Sequence, residues 1–321
     1  MRRLLLSILL FLTIGFFTAG AAAQSYPSKP MRLIVPFTPG GTNELLARII
    51  SQKFQEKWGQ PVIPENRPGA GGNIGAELVA KAAPDGHTLL FGTNTLTMNL
   101  FMVKQMPFDV QKDLVPVAMV ATTPFIVVVN NAMPIKSIGE LIAYAKANPG
   151  KLSYGTPGNG TPHHLGTELF KTVAGVDMVH VPYKGSTAAL TDVMTGNLHV
   201  MWVTINVGMP LVAGGKLRAI GLAEPKRSPL HPQLPAVAET VPGYEVTAWY
   251  AVFAPGGTPP EIVSQLSAEL LRIFQLPEIR QRLEPAGVEI TLQDSAALRA
   301  TMASDLAKWR KVVADAKIRA E

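Results

Sequence analysis

Short apolar runs alternate with amphipathic segments along nearly the whole chain. The apolar runs predict strands at 31–37, 61–65, 88–93, 125–130, 151–156, 179–183, 198–203, 218–223 and 247–254. Apolar residues at helical spacing predict helices at 44–58, 73–82, 137–148, 162–173, 186–195, 259–274 and 295–316. This alternation is typical of an α/β protein with mixed, mostly parallel sheets and flanking helices. In such sheets, ligands bind beyond the carboxyl ends of the strands.

Two long extended stretches interrupt the alternation. Residues 114–130 contain no charged side chain, and residues 247–255 follow a proline-rich loop. We interpret both stretches as connections between lobes. The chain is then expected to form one lobe from residues 24–124 and 247–321, with a second lobe, residues 125–246, inserted into it.

The first 23 residues have the pattern of a signal peptide. Arg2 and Arg3 precede an apolar run of 14 residues, and a small-residue site predicts cleavage near Ala23-Gln24. An uncleaved membrane anchor is the alternative, but a membrane span needs about 20 apolar residues. Export is therefore predicted, and it disfavours functions that need cytosolic nucleotides.

Composition and motifs exclude several function classes. The chain has 321 residues, a formal net charge of +6 and no cysteine, which excludes disulfides and a cysteine nucleophile. Basic residues are scattered rather than gathered in a stripe, so no nucleic-acid partner is expected. The histidines lack metal-ligand spacing, and no serine-hydrolase or zinc-protease motif is present. We therefore expect no metal, no cofactor and no enzymatic activity.

Glycine-rich turns lie between predicted strands and predicted helices. They are Pro39-Gly40-Gly41-Thr42, ENRPGAGGNIGAE at 65–77, GTPGNGT at 155–161, and YKGS at 183–186 with Ser186 as the predicted N-cap. Helix N-termini carry unbonded N–H groups and partial positive charge, so such turns on facing lobes could hold a carboxylate. The alternative is that they are only capped turns. Pro-Gly-Gly-Thr also recurs at 255–258, where we expect a plain helix start with Pro259 near the first helical position.

Other motifs are less specific. The 65–77 turn lacks the last glycine and the acid of a dinucleotide-binding fingerprint, and the 155–161 turn lacks the lysine of a P-loop. His164 could donate a hydrogen bond to a ligand or cap its own loop, and both remain open. Trp202, Trp249 and Tyr250 lie on predicted strands and are expected in the core, with a ligand platform as the alternative.

Long stretches of the chain resemble one family. They are YPSKPMRLIVPFTPGGTNELLAR, ENRPGAGGNIGAELVAKAAPDGHTLLFGT, YGTPGNGTPHHLGTELF and VHVPYKGSTAALTDVMTGNLHVMW. In this order they are similar to the Bug family, the extracytoplasmic solute-binding proteins of tripartite tricarboxylate transporters. The resemblance covers essentially the whole chain after the signal peptide. It implies a two-lobed periplasmic-binding-protein fold (Venus flytrap, type II-like) with a cleft between the lobes.

The resemblance also implies which residues bind the ligand. A ligand carboxylate is expected at the first turn, which is made of Phe37, Thr38, Pro39, Gly40 and Gly41. The facing lobe contributes Thr156, Asn159, Gly160, Thr161 and His164. The full predicted set adds Thr42, Asn43, Thr93, Thr95, Lys184, Trp202 and Val203.

Two departures from the family pattern bear on the ligand. Glu44 stands where the family usually has Asp, and we expect it to support the turn and the helix start. Val203 stands where the family often has Asp, so the cleft would lack an acid for an amino-acid ammonium group. We therefore predict a di- or tricarboxylate or an aromatic acid rather than an amino acid, with Trp202 as a stacking wall.

These expectations describe a monomeric periplasmic solute-binding protein. It would capture a small organic carboxylate and deliver it to the membrane permease subunits of a tripartite tricarboxylate-type transporter. A carboxylate-sensing receptor module would have the same cleft chemistry and is the main alternative. An exported hydrolase is a second alternative, but no nucleophile–base set supports it.

Overall fold

The computed structural model describes residues 26–228, 231–315 and 318. The predicted signal peptide, residues 1–23, lies outside the described residues. Within these ranges the strands are β1 (Met31–Val35), β2 (Val62–Asn66), β3 (Thr88–Thr93), β4 (Leu114–Asn130), β5 (Ser153–Thr156), β6 (Val179–Pro182), β7 (Val200–Thr204), β8 (Leu217–Leu222), β9 (Thr247–Pro255) and β10 (Glu289–Gln293).

Helices precede or follow most of these strands. They are α1 (Thr42–Trp58), α2 (Asn73–Ala80), α3 (Thr95–Met98), α4 (Ile138–Ala147), α5 (Pro162–Ala174), α6 (Ser186–Thr195), α7 (Ile205–Ala213), α8 (Pro260–Phe274), α9 (Pro277–Leu283) and α10 (Ser295–Asp315). In the part of the chain that the structure describes, no helix is long and apolar enough to cross a membrane.

The strands form one continuous mixed sheet in the order β2-β1-β3-β9-β4-β7-β5-β6, with β8 and β10 also paired to β4. Strand β4 joins two parts of this sheet, because residues 114–124 pair with β9 and residues 125–129 pair with β7. We call β1, β2, β3, β9, β10 and residues 114–124 the first half-sheet. The second half-sheet is β5, β6, β7, β8 and residues 125–130.

The predicted α/β fold with a mixed sheet and flanking helices is confirmed. Pairs among the outer strands are parallel, namely β1–β2, β1–β3, β5–β6 and β5–β7. The pairs that involve β4 or β9 are antiparallel, because these long strands run back against their neighbours. Parallel pairing is therefore confined to the outer parts of the sheet.

Several local features differ from the sequence prediction. Elements α3, α7, α9 and β10 were not predicted; α7 contains Pro210, and β10 has no buried residue that would mark a strand face. The N-cap of α6 is Gly185 rather than Ser186. Helix α8 begins at Pro260, with Pro259 as its N-cap, one residue later than expected.

Buried apolar side chains cover both faces of the sheet. Leu33 packs in a core cluster with Ile50 of α1, and its neighbour Ile34 packs on the opposite face with Val79 of α2. With both faces covered, the accessible backbone lies where strands end. The turns after β1, β5, β6 and β7 meet in this region.

Candidate functional site

A cavity of about 80 Å³ lies where the first and second half-sheets meet. A buried water needs about 10–15 Å³ of such volume, so the space suits about six waters or one small organic molecule. The lining residues are Phe37, Thr38, Pro39, Gly40, Gly41, Thr42, Asn43, Thr93, Thr95, Phe125, Pro157, Thr161, Pro162, His163, Gly185, Ser186, Thr187, Thr204, Val207, Ala248 and Tyr250.

Four helix N-termini converge on this cavity. The N-cap residues of α1, α5, α6 and α7 are Gly41, Thr161, Gly185 and Thr204, and each of them lines it. The first N–H groups of a helix have no intrahelical acceptor, and the end of the helix carries roughly half a positive charge. The cavity is therefore electropositive without a basic side chain, which favours an anion.

The side chains that line the cavity are uncharged. No Lys, Arg, Asp or Glu occurs among the lining residues just named. Burial raises the pKa of Tyr250 to about 12, so its phenol stays neutral. Threonines supply most of the polar side chains, and Thr42, Thr93, Thr95 and Thr161 are each at most 5% exposed. A bound anion would thus meet backbone N–H groups and hydroxyls.

Glu44 holds the first turn in place. Its carboxylate accepts a hydrogen bond from the Gly40 N–H at 2.8 Å and also pairs with Arg48 one helical turn later. The pKa of this carboxyl is lowered, first by the bond from Arg48 and then by that from Gly40. This arrangement confirms the expected supporting role of Glu44 at the helix start.

Two histidines hold the second turn, residues 156–161. The Nδ1 atom of His164 accepts a hydrogen bond from the Gly160 N–H at 3.2 Å, and His180 Nε2 lies 2.7 Å from the Thr156 hydroxyl. His164 and Thr156 do not line the cavity. Of the two open roles for His164, the structure shows the loop cap, and neither residue is placed as a ligand contact.

The neighbouring His163 lines the cavity instead. Its ring packs edge-on against Phe125, with 4.7 Å between centroids, and burial lowers its pKa to about 3. The imidazole is therefore neutral at physiological pH. Its Nδ1 atom and Asn43 Oδ1 are buried and have no hydrogen-bond partner among the described residues. The rotation of α5 about its axis decides which of the two adjacent histidines faces the cavity. The sequence of two consecutive histidines does not indicate that rotation.

The structure brings together ten of the predicted site residues. They are Phe37, Thr38, Pro39, Gly40, Gly41, Thr42, Asn43, Thr93, Thr95 and Thr161. Asn159 and Lys184 instead line an adjacent groove of about 660 Å³, which shares Phe37, Thr38 and Pro157 with the cavity. Gly160, within the second turn, lines neither space, because its N–H is bonded to His164 and its Cα faces Asn99.

Two residues of the predicted site, Trp202 and Val203, do not line the cavity. Trp202 is 1% exposed and packs against Phe170 with 5.0 Å between ring centroids, and Val203 is fully buried in a separate core cluster. Both belong to β7 within the covered sheet, so neither lines the cavity. The stacking-wall prediction for Trp202 is wrong, and Val203 gives no argument for or against a ligand. Thr204, at the end of β7, is the residue of this strand that lines the cavity.

Other lining residues were missed at the sequence level. Thr204 is the N-cap of the unpredicted helix α7, Val207 lies in the first turn of that helix, and Phe125 lies on β4. Tyr250 of β9, for which a ligand platform was the alternative to a core position, also lines the cavity. The crossing strands were recognised as connections, and a ligand held between two lobes must lie beside them. This argument could have predicted that residues of these strands line the site.

Comparisons with known proteins place the chain in one family. Residues 46–318 match the family described as tripartite tricarboxylate transporter family receptor, TctC. The chain is 34% identical over 316 residues to protein BugT of Bordetella pertussis (strain Tohama I), an alignment that covers 98% of this chain and 97% of BugT.

Two solved structures with bound acids are similar over nearly the full chain. The first is Rpa4515 of R. palustris with adipate, with a TM-score of 0.88 and 36% identity, covering 92% of this chain and 100% of that chain. The second is MatC (Rpa3494) from Rhodopseudomonas palustris with bound malate, with a TM-score of 0.84 and 30% identity, covering 90% and 100%. The chain belongs to the tripartite tricarboxylate transporter receptor family, as its resemblance to the Bug proteins predicted.

Proposed function

We propose that the protein captures a small organic carboxylate in the cavity and delivers it to a tripartite tricarboxylate-type membrane transporter. The observation that carries this proposal is the convergence of four helix N-termini on one small cavity without a charged lining side chain. Among similar proteins, Rpa4515 was solved with adipate and MatC with malate, which supports an organic acid here.

The free energy of binding can be compared with what each helix N-terminus contributes. A partly buried charge at a helix N-terminus gains up to about 2 kcal/mol. Four such contacts reach about 8 kcal/mol, which corresponds to micromolar affinity. Binding also costs desolvation and lost freedom, so the threonine hydroxyls and exclusion of water must supply part of the total. We therefore expect micromolar or tighter binding only when the carboxylate meets several termini at once.

The ligand would hold two lobes together. We assign residues 24–124 and 247–321 to one lobe and residues 125–246 to the other. In support, β4 changes its pairing partner between Pro124 and Phe125, and β9 begins at Thr247. A ligand that contacts both lobes favours their closed arrangement, and the closed form would be what the permease subunits recognise. The protein would be exported to the periplasm and would act there as a monomer.

Thermal unfolding of purified residues 24–321 against a carboxylate panel tests the proposal. The panel contains citrate, malate, succinate, adipate, benzoate, terephthalate, aspartate and glutamate. An acid present at about 100 times its Kd adds about 2.7 kcal/mol of stability, which gives a clear rise in Tm. A rise with one class of acid is expected. If no acid raises Tm and mass spectrometry of the denatured protein finds no trapped acid, the proposal fails.

A substitution at the cavity identifies the site. Thr204→Asp places a carboxylate at the N-cap of α7, where Asp is a favoured residue, so the fold should be retained. This built-in anion should compete with the ligand and reduce acid binding at least tenfold. Lys184→Gln is the matched control, because Lys184 lines the adjacent groove and not the cavity. Equal loss of binding in both variants would place the acid outside the cavity.

A further inference from the structure

The turns that follow the two half-sheets meet at a contact between Thr38 on one side and a glycine, Gly185, on the other. Thr38 follows β1, and Gly185 is the N-cap of α6, which follows β6. A Cβ atom on Gly185 would lie 2.4 Å from Thr38 Oγ1, well inside van der Waals contact. The backbone of Gly185 does not itself require glycine, because its φ of 174° is extended. Only the Thr38 side chain across the interface restricts the size of the residue at this position.

This contact lies at the edge of the proposed binding cavity. Thr38 lines both the cavity and the adjacent groove, whereas Gly185 lines the cavity and Lys184 lines the groove. The meeting of Thr38 with Gly185 therefore forms part of the wall between the two spaces. Separating these residues would open the cavity towards the groove and admit water to the helix N-termini.

A second close approach has a similar geometry, although the φ of Gly160, 70°, also favours glycine at that position. A Cβ atom on Gly160 would lie 1.7 Å from Asn99 Oδ1. The Asn99 amide is held in place, because its Nδ2 donates to Gly71 O at 3.0 Å and to Asn73 Oδ1 at 3.1 Å. Two polar side chains, Thr38 and the hydrogen-bonded Asn99, are thus each met by a glycine from the other side of the interface.

We infer that Gly185 is a closure residue: its missing side chain lets the two halves of the molecule close over the carboxylate, so a methyl group there weakens binding by wedging against Thr38. This inference rests on the proposed carboxylate-binding function and adds a residue that acts on affinity through Thr38. Apparent affinity falls in proportion to the fraction of molecules in the closed, binding-competent state. A wedge that reduces this fraction tenfold raises the Kd tenfold.

The test places Gly185→Ala in two matched backgrounds, Thr38→Ala and Thr38→Val. Both backgrounds lack the Thr38 hydroxyl, so any hydrogen bond from it to the acid is lost equally. Valine keeps a methyl group where Oγ1 stands, whereas alanine leaves only Cβ, which would be 3.6 Å from the new methyl. Titration calorimetry with adipate, malate and benzoate should show at least a tenfold rise in Kd on adding Gly185→Ala to Thr38→Val. Added to Thr38→Ala, the same change should raise Kd by a factor at least five times smaller, because no atom stands at the Oγ1 position.

Small-angle scattering of the acid-free proteins gives a second readout. Gly185→Ala should increase the radius of gyration in the Thr38→Val background and leave it unchanged in the Thr38→Ala background. Equal changes in both backgrounds, or no change in either, would overturn the inference. If no acid binds any of the proteins while scattering still depends on the side chain at position 38, the proposed function fails and the closure role stands.

Discussion

The imidazole rings of His164 and His180 lie parallel, with 4.0 Å between their centroids and 10° between their planes. Tyr154 stacks on His180 at 4.9 Å. Burial lowers the pKa of His164 to about 4 and that of His180 to about 3. Because His164 accepts the Gly160 N–H through Nδ1, protonation of that atom would remove the support of the second turn.

Acid should therefore destabilise the fold. A histidine with an ordinary pKa of about 6.5 when unfolded, and a lower pKa when folded, stabilises the fold above pH 6.5. That stability is lost as the pH falls from 6.5 towards 4, by up to about 1.4 kcal/mol per pH unit for each histidine. Urea denaturation between pH 7 and pH 5 measures the slope, and His164→Gln should reduce it. A free energy of unfolding that is constant over this range would contradict the assignment.

Glu224 should have the opposite pH dependence. Burial, assisted by Glu289 and Glu245, raises the pKa of its carboxyl to about 7, although Thr247 donates a hydrogen bond to it. Its contribution to stability is full below pH 4.5 and is lost as the pH rises through 7. Glu224→Gln keeps an acceptor for Thr247 and should be more stable than the wild type at about pH 8, with the difference vanishing near pH 5. A pH-independent difference would show that ionisation is not the cause.

Trp202 should matter for stability and not for ligand contact. Its indole fills space beside Phe170 in the core, so Trp202→Ala should lower the free energy of unfolding by about 3–5 kcal/mol. Trp202→Phe should fold and should bind acids within about twofold of the wild type. Loss of aromatic-acid binding in Trp202→Phe, with other acids unaffected, would restore the stacking-wall interpretation.

Glu44 should stabilise the start of α1. Glu44→Ala removes the acceptor of the Gly40 N–H and should cost about 1 kcal/mol, the usual effect of losing a helix cap. Glu56→Ala is the control on the same helix, because Glu56 accepts hydrogen bonds from the side chains of Gln52 and Lys53, within the helix. Chemical denaturation compares the two variants. Equal costs would show that the turn does not depend on Glu44.

The fold was largely predictable because strand runs and glycine-rich turns mark the element boundaries directly. Strand β3 was predicted with its observed bounds, Thr88–Thr93. Strand β10 was missed because its five residues are exposed or half-buried, and it is a strand only through its pairing with β4. Helix α7 was missed because Pro210 interrupts its pattern. Elements defined by tertiary contacts leave little local signal.

The site was predictable at its turns and not along its strands. Glycine-rich turns mark where backbone approaches a ligand, and the first turn lies at the cavity as expected. Strand β7 is buried on both faces, so its pattern does not tell which residue reaches the site. Trp202 and Val203 were predicted from the family pattern, and Thr204 was not predicted. Only the position of the strand end identifies Thr204.

The central claim is that the helix N-termini at the cavity bind the carboxylate. Its most direct test is a crystal structure of the protein in complex with the acid that gives the largest rise in Tm. We expect carboxylate oxygens within about 2.7–3.2 Å of backbone nitrogens at the start of α1 and of at least one of α5, α6 and α7. A carboxylate bound to Lys184 in the adjacent groove, with no acid group at the helix N-termini, would contradict that claim.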